Sequence, residues 1–225
     1  MTSFKSICVF LFLATISQNI FCQSSALTSV LIDKRDRQQY PIVKIGGTWW
    51  MAKNLNFAKP NSFCLNNEEK SCSVYGRLYT WKASLNACPK GWRLPNQEEW
   101  TKMLDVVQKE NDSLNTNYYE VIRIRYAKLI KGGESKFDAL IGGNRNPHGY
   151  FYRMNGFYWT SSEKTGTKEA EKRLNETFAG NYGSKFSDYG MSIWFRPEDK
   201  RIYSNNAPFV KKNAFSCRCI KNESN

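Results

Sequence analysis

The spacing of apolar residues predicts a strand region and then a helix in the first part of the chain. Over residues 40–57, Val43 and Ile45 alternate with a lysine before a Gly-Gly turn, which is the period of a half-buried strand. Over residues 75–87 the apolar residues recur every three or four positions, which predicts a helix with a stripe of Leu78, Trp81 and Leu85. The Cys-Pro-Lys-Gly sequence that follows should end this helix.

A second helix is predicted to begin at Asn96. Asparagine is a favoured N-cap residue, and the acidic side chains of Glu98 and Glu99 suit the first turn of a helix. The apolar residues that follow form one helical stripe, which comprises Trp100, Met103, Leu104 and Val107. The polar stretch 108–120 is predicted to be a loop.

From Val121 onward the pattern predicts short aromatic strands separated by turns that contain glycine. These strands are expected at 137–143, 149–152, 156–162, 191–195 and 214–220, with a long polar connection over 163–190. Two early helices followed by several short strands indicate the α+β class, with a small antiparallel sheet and long loops.

The first residues have the composition of a secretory signal peptide. Lys5 precedes an apolar run from Ile7 to Ile16, which is too short to cross a hydrocarbon core of about 30 Å as a helix. We expect cleavage after Cys22, with lipid attachment at Cys22 as the alternative. We therefore expect an exported protein, in the periplasm or at the cell surface, with no transmembrane segment in the mature chain. The predicted division is signal peptide 1–22, N-terminal leader 23–39, main domain 40–221 and C-terminal tail 222–225.

Composition and charge limit the classes of function. The 225 residues are 41% hydrophobic and 15% aromatic, which is enough to bury a core. The formal net charge of +13 favours anionic surfaces or acidic polysaccharides. No basic motif is visible and export is expected, so we expect no nucleic-acid partner. The single histidine, His148, excludes a zinc site built on several histidines of one chain, and we expect no cofactor.

The cysteines predict a disulfide-bonded domain. Two of the seven cysteines lie in the predicted signal peptide, and export favours bonds among the remaining five. The polar loop between Cys64 and Cys72 favours a local disulfide. Cys217 and Cys219 point to the same face of a predicted strand, so either could reach Cys88. A zinc site would need four ligands to converge in an oxidising compartment, so we expect no metal.

Five ordered motifs of this chain resemble those of one known family. They read WWMAKNLN, YGRLYTW, CPKGWRLP, FDAL with WTSSE, and FSCRCIK, and they lie at 49–56, 75–81, 88–95, 137–140 with 159–163, and 215–221. The family is the Fibrobacter succinogenes major paralogous domain, called FISUMP. The resemblance extends from about Tyr40 to Lys221 and so covers nearly all of the expected mature chain.

This resemblance implies a bacterial, exported protein with a fold related to C-type lectin-like domains, and it implies no established activity. The family pattern has cysteine at the position of Cys219 and usually valine at that of Cys217. It therefore selects a Cys88–Cys219 disulfide and leaves Cys217 as an extra thiol. The chain also departs from the pattern at Arg93, where the family usually has histidine, and in a shorter segment before Phe137.

Ligand contact is expected in the loop-rich second half, which combines glycine, asparagine and aromatic residues in long connections. Tyrosine rings can pack on sugars, while asparagine and arginine side chains donate to hydroxyl or carboxylate groups. The predicted ligand-binding residues are Asn144, Arg145, His148, Tyr150, Tyr152 and Tyr158. The chain lacks the Glu-Pro-Asn, Gln-Pro-Asp and Trp-Asn-Asp motifs of calcium-dependent lectins, so we expect binding to survive chelation.

The favoured interpretation is a non-enzymatic, lectin-like domain that binds or scaffolds a carbohydrate or a cell-envelope protein. The alternative is an enzyme that acts on envelope glycans or proteins through a pair of carboxylates. Its candidate residues are Glu98, Glu99, Asp138 and Glu163. A deep cleft with convergent carboxylates would favour the enzyme, whereas a shallow surface of aromatic and polar loops would favour the binding domain.

Overall fold

A computed structural model of the chain describes residues 28–109, 117–166, 185–204 and 207–222, together with residues 169 and 172. The predicted signal peptide, the first residues of the predicted leader, part of the connection over 163–190 and the end of the tail lie outside the described residues. The helices are α1 (Glu69–Tyr75), α2 (Trp81–Ser84), α3 (Gln97–Lys109) and α4 (Tyr118–Leu129). The strands are β1 (Thr28–Ile32), β2 (Gln39–Ile45), β3 (Thr48–Met51), β4 (Ser62–Phe63), β5 (Leu78–Thr80), β6 (Trp92–Arg93), β7 (Asn144–Arg145), β8 (Phe151–Tyr152), β9 (Gly156–Glu163), β10 (Tyr189–Arg196), β11 (Arg201–Tyr203), β12 (Pro208–Val210), β13 (Ala214–Phe215) and β14 (Ile220–Lys221).

These strands form three small antiparallel sheets, which confirms the α+β class. The first sheet has the order β1-β2-β3-β14-β6 and joins the start of the domain to its end. In the second sheet, β9 pairs along one edge of β10, while β11 and β12 pair with opposite ends of the other edge. The third sheet has the order β4-β5-β13-β7-β8, so the β7–β8 hairpin lies at its margin.

Two large apolar clusters fill the space between the sheets and helices, and a third, smaller one comprises Leu65, Leu78 and Ala214. The first contains the whole predicted stripe of α3, and Trp100 packs edge to face against Trp50 with ring centroids 5.0 Å apart. The second contains rings from all three sheets, such as Tyr40 of the first, Trp159 of the second and Phe215 of the third. The helix predicted to begin at Asn96 is therefore confirmed, because its apolar face has a partner in the core.

Several local predictions are wrong. Residues 137–143 do not form a strand and make only isolated bridges at Ala139 and Gly143. Residues 75–87 do not form one helix: Leu78–Thr80 is strand β5, which pairs with both β4 and β13, and the Thr80 side chain then caps the short helix α2. The stretch after Val121 is not β but part of α4. The side chain of Asn117 and that of Glu120 form a reciprocal capping box at the start of this helix.

The segment predicted as one strand over 214–220 is divided into β13 and β14. Between these strands its backbone bonds to different parts of the domain: Ser216 N donates to Phe157 O (3.0 Å), whereas the carbonyls of Cys217 and Cys219 accept from Leu55 N (3.0 Å) and Met51 N (2.9 Å). The whole segment is buried. It therefore connects the sheets through the centre of the domain instead of lying along one of them.

Both predicted disulfides are present. Cys64 is bonded to Cys72, and Cys88 is bonded to Cys219 across 131 positions of sequence. Cys217 is a buried free thiol, as the family pattern implied. Burial raises the pKa of Cys217 far above that of an ordinary thiol, so this side chain acts as a small apolar residue of the core.

Candidate functional site

The loop between β7 and β8 has a well-defined backbone. The side-chain oxygen of Asn146 accepts hydrogen bonds from the backbone N–H groups of His148 (3.0 Å) and Tyr150 (2.9 Å), and Asn146 N donates to Tyr150 O (2.8 Å). Gly149 has a φ of +97°, and a Cβ there would lie 3.0 Å from Nη2 of Arg145. The positive φ favours glycine at this turn, whereas the close atom is the flexible end of the Arg145 side chain, which can move aside.

The aromatic side chains of this hairpin are exposed. Tyr150 exposes 66% of its surface and Tyr152 exposes 51%, and Met154, which follows β8, exposes 78%. We call these three residues the hairpin surface. A hydrophobic residue that is singly exposed needs no explanation, but three within five positions on a fixed turn form a contact surface.

Arg145 lies behind the hairpin surface and is half-buried. Its guanidinium carbon lies 4.2 Å from the centroid of the Phe63 ring and 5.9 Å from that of Phe151, at distances typical of cation–π contacts. Asn144, on the same strand, pairs directly with Tyr152. The structure thus brings five of the six predicted residues into one hairpin, with Arg145 partly committed to packing.

The exposure predicted for Tyr158 is wrong. Tyr158 lies in β9 and is fully buried, and its hydroxyl donates to Leu140 O (2.8 Å) and accepts from Leu140 N (2.7 Å). Burial raises the pKa of this phenol. Both faces of β9 are covered, since Tyr158 packs in the first cluster while Phe157 and Trp159 pack in the second. Tyr158 therefore supports the Leu140 backbone and does not reach a ligand at the hairpin surface.

Sequence reasoning did not include Met154, which belongs to the hairpin surface, or Arg153, which lies next to it. Arg153 is exposed, and its guanidinium carbon lies 5.7 Å from the Tyr75 ring of α1. The sequence position of Arg153 and Met154 could have predicted their exposure. They lie in the short connection between Tyr152, where β8 ends, and Asn155-Gly156, and a methionine there has no core to enter.

The four carboxylates considered for an enzyme have separate structural partners. Glu98 pairs with Lys102 (2.9 Å), the Glu163 carboxylate pairs with Lys211 (2.5 Å), and Asp138 Oδ1 accepts from Gly132 N (2.8 Å). These contacts lie on α3, on the margin of the second sheet and on the turn after α4.

Glu99 completes the cap of α3. Its carboxylate accepts from Asn96 N (2.8 Å) and from Nη1 of Arg93 (2.8 Å), while Glu99 N donates to Asn96 Oδ1 (2.8 Å). Burial alone would raise the pKa of Glu99, but the hydrogen bonds from Arg93 and Asn96 outweigh it and lower the pKa. Glu99 is therefore an ionised capping residue.

One group of potential metal ligands occurs among the described residues. Donor atoms of Cys64, Glu69 and Cys72 lie within 4.8 Å of one another. Both sulfur atoms belong to the Cys64–Cys72 disulfide, so neither offers the thiolate that a metal ion would bind.

The sequence from residue 43 to residue 221, well over half of the chain, matches the model of the Fibrobacter succinogenes major domain family. The chain belongs to this family. No curated protein and no solved structure matches this chain.

Two residues that the resemblance marked as departures from the pattern of the Fibrobacter succinogenes major domain have structural roles. Arg93 holds the capping carboxylate of Glu99. Cys217 is buried in the second cluster. Neither departure lies on the hairpin surface.

The two disulfides indicate an extracytoplasmic protein, because such bonds persist in oxidising compartments. None of the helices that the structure describes has the length and apolarity needed to cross a membrane.

Proposed function

We propose that this domain is an exported, lectin-like binding or scaffolding module that acts at the cell envelope and contacts a glycan or another envelope component. The observation that carries the proposal is the exposed pair Tyr150 and Tyr152 on a turn whose backbone is held by Asn146. Tyrosine offers a large contact area at a low entropic cost, because only two side-chain torsions are ordered on binding.

The scaffold behind the hairpin surface supports this role. Arg145 joins the hairpin to Phe63, and Cys64, the next residue, is bonded to Cys72 of α1. A ligand that packs on Tyr150 and Tyr152 therefore meets a site with little left to order, which favours affinity. The few helices, the antiparallel sheets and the Cys88–Cys219 bond are consistent with the lectin-like fold that the resemblance implies.

A binding role is favoured over an enzyme because of how the carboxylates are used. Glycoside hydrolysis needs two carboxyl groups on either side of one bond. Here Glu99 caps a helix, Asp138 stabilises a turn, and Glu163 pairs with Lys211. The exposed aromatic surface is therefore the better candidate for contact with a glycan.

Glycan-array binding with and without a calcium chelator tests the proposal. Tyr150→Ala and Tyr152→Ala should each weaken binding roughly two- to tenfold, from the loss of about 0.5–1.5 kcal/mol of ring packing. Melting temperatures should stay unchanged, and chelation should have no effect.

Tyr119→Ala is the matched control, since Tyr119 lies on α4 and exposes the same 66% of its surface as Tyr150. It should leave binding unchanged. If Tyr150→Ala and Tyr152→Ala lower the melting temperature and leave binding intact, the hairpin is only structural and the proposed site is wrong.

A further inference from the structure

A row of aromatic rings crosses the second sheet and becomes more exposed toward its edge. Phe157 of β9, Trp194 of β10 and Tyr203 of β11 are cross-strand neighbours in the antiparallel register. The centroids of Phe157 and Trp194 lie 5.4 Å apart and those of Trp194 and Tyr203 lie 4.5 Å apart. Phe157 is buried, whereas Trp194 and Tyr203 are half-buried, so the row ends in two rings that face solvent in part.

Two arginines lie beside the exposed end of this row. Arg196 and Arg201 are directly opposite each other on β10 and β11, and their guanidinium carbons lie 5.1 Å and 5.8 Å from the centroid of Tyr203. Like charges directly across an antiparallel pair are unfavourable. The pairing therefore needs a counter-charge from another residue.

Asp199, in the turn between these strands, is the carboxylate that contacts both arginines. Its Oδ2 accepts from Nη2 of Arg196 and from the hydroxyl of Tyr203 (3.1 Å), while Nε of Arg201 lies 3.7 Å away. The Nε groups of both arginines have no hydrogen-bond partner. The hydrogen bond from Arg196 lowers the pKa of Asp199, so the carboxylate is ionised at neutral pH. The two arginines thus share the Asp199 carboxylate, and Glu198 of the same turn adds a further favourable interaction with Arg196. Among the carboxylates that the structure describes, Arg201 has only the 3.7 Å contact to Asp199, so its guanidinium group is the one available to a ligand.

We propose that Trp194, Arg196, Arg201 and Tyr203 form a second binding site, for a carboxylated sugar such as a hexuronate unit. The sugar ring packs on the solvent-exposed parts of Trp194 and Tyr203 at the end of the row, and its carboxylate accepts hydrogen bonds from Arg201. A guanidinium group suits this role, because its planar donors match the two oxygens of a carboxylate. This site is separate from the hairpin surface, and it does not depend on the function proposed for that surface.

The features of the site favour a sugar over an acidic peptide. A peptide carboxylate on a flexible side chain would need only the arginines, whereas a sugar also uses the solvent-exposed parts of two adjacent rings. The side chains of Arg196 and Arg201 are 34% and 36% exposed, so a carboxylate can approach them from solvent. The net charge of +13 would also attract a polyanionic glycan.

Calorimetric titration with trigalacturonic acid tests this site. Arg201→Gln should weaken binding roughly ten- to a hundredfold, which is the loss of one charge-assisted hydrogen-bond pair. Asp199→Asn should strengthen binding, because it removes the carboxylate that competes for both arginines. A residue that only maintained the turn would show no such gain. Lys200→Gln is the control, since it removes the same charge from an exposed side chain of the same turn and should have little effect.

Three results would overturn the proposal: no binding of trigalacturonic acid, equal binding of its methyl ester, or equal binding of an oligoglutamate. The last would assign the site to acidic peptides. If Arg201→Gln fails to fold, a loss of affinity in Asp199→Asn still refutes the role of the arginines. Tyr150→Ala should leave this binding unchanged, so failure here is distinguishable from failure at the hairpin surface.

Discussion

Replacing Arg218 by methionine should cost a large part of the stability of this domain. Arg218 is fully buried and donates four hydrogen bonds, of which none goes to a carboxylate. Nε donates to Asn54 Oδ1 (2.6 Å), Nη1 to Met51 O (3.0 Å) and Phe137 O (2.6 Å), and Nη2 to Asp138 O (2.6 Å). The side chain thereby joins the C-terminal segment to two loops that are distant in sequence.

The size of the expected stability loss follows from the hydrogen-bond acceptors that methionine would leave unpaired. Its length is similar, but it donates nothing, so four acceptors lose their partner. Each buried acceptor left unpaired costs about 1–3 kcal/mol. Part of this cost is offset, because burial of the charge is itself unfavourable and lowers the pKa of Arg218. The net loss should be about 3–5 kcal/mol, the range for breaking a buried charged network, against a typical total of about 5–15 kcal/mol.

Urea unfolding followed by tryptophan fluorescence, with the disulfides intact, measures this loss. Arg218→Lys keeps the charge but has one nitrogen, which cannot reach all four acceptors on the two segments 51–54 and 137–138, so this variant should also be destabilised. Arg123→Met, at an exposed position of α4, is the control and should stay within about 0.5 kcal/mol of the parent. If Arg218→Met lowers the free energy of unfolding by less than about 1 kcal/mol, the cost of one orphaned acceptor, then the network does not stabilise the fold as argued.

Three further substitutions test the packing and the cross-links. Gly190→Ala should lower the free energy of unfolding by about 1–3 kcal/mol, because its Cβ would lie 2.4 Å from the ring of Trp81, and an unchanged melting temperature would show that the ring can move aside. Cys219→Ala should cost about 4–5 kcal/mol in the chain-entropy view of a long loop, whereas Cys217→Val should change stability by less than about 1.5 kcal/mol. Peptide mapping of the parent should show Cys88 joined to Cys219, and a bond from Cys88 to Cys217 would contradict the assignment.

The elements that sequence reasoning predicted well are those whose signals are local. In α3 the cap at Asn96, the acidic first turn and the apolar stripe that begins at Trp100 all agree, and the helix packs as expected. The prediction of a helix over 75–87 was wrong because Leu78–Thr80 pairs with β4 and also with β13, which lies far along the chain. The Asn117–Glu120 box, by contrast, is a local signal of a helix that a polar composition obscured.

The residues of the candidate site also divide into those whose exposure the local sequence predicts and those for which it does not. Tyr150 and Tyr152 follow glycine and asparagine in a short turn, and their exposure is predictable from that context. Tyr158 lies only six positions after Tyr152, but it belongs to a strand that is covered on both faces. A run of aromatic residues in a strand does not reveal whether one or two of its faces are buried, because this depends on which other elements pack there.

The arginine–aromatic cluster of the second sheet shows what a strand register adds. The strand over 191–195 was predictable, but its partner at Arg201–Tyr203 is too short and too charged to stand out in the sequence. Once the turn over 197–200 is recognised, with Lys200 at a φ of +53°, the register places Trp194 opposite Tyr203 and Arg196 opposite Arg201. A shift of one residue would move these side chains to the other face of the sheet and separate the rings from the charges. The second site is therefore a property of the pairing and not of any single residue.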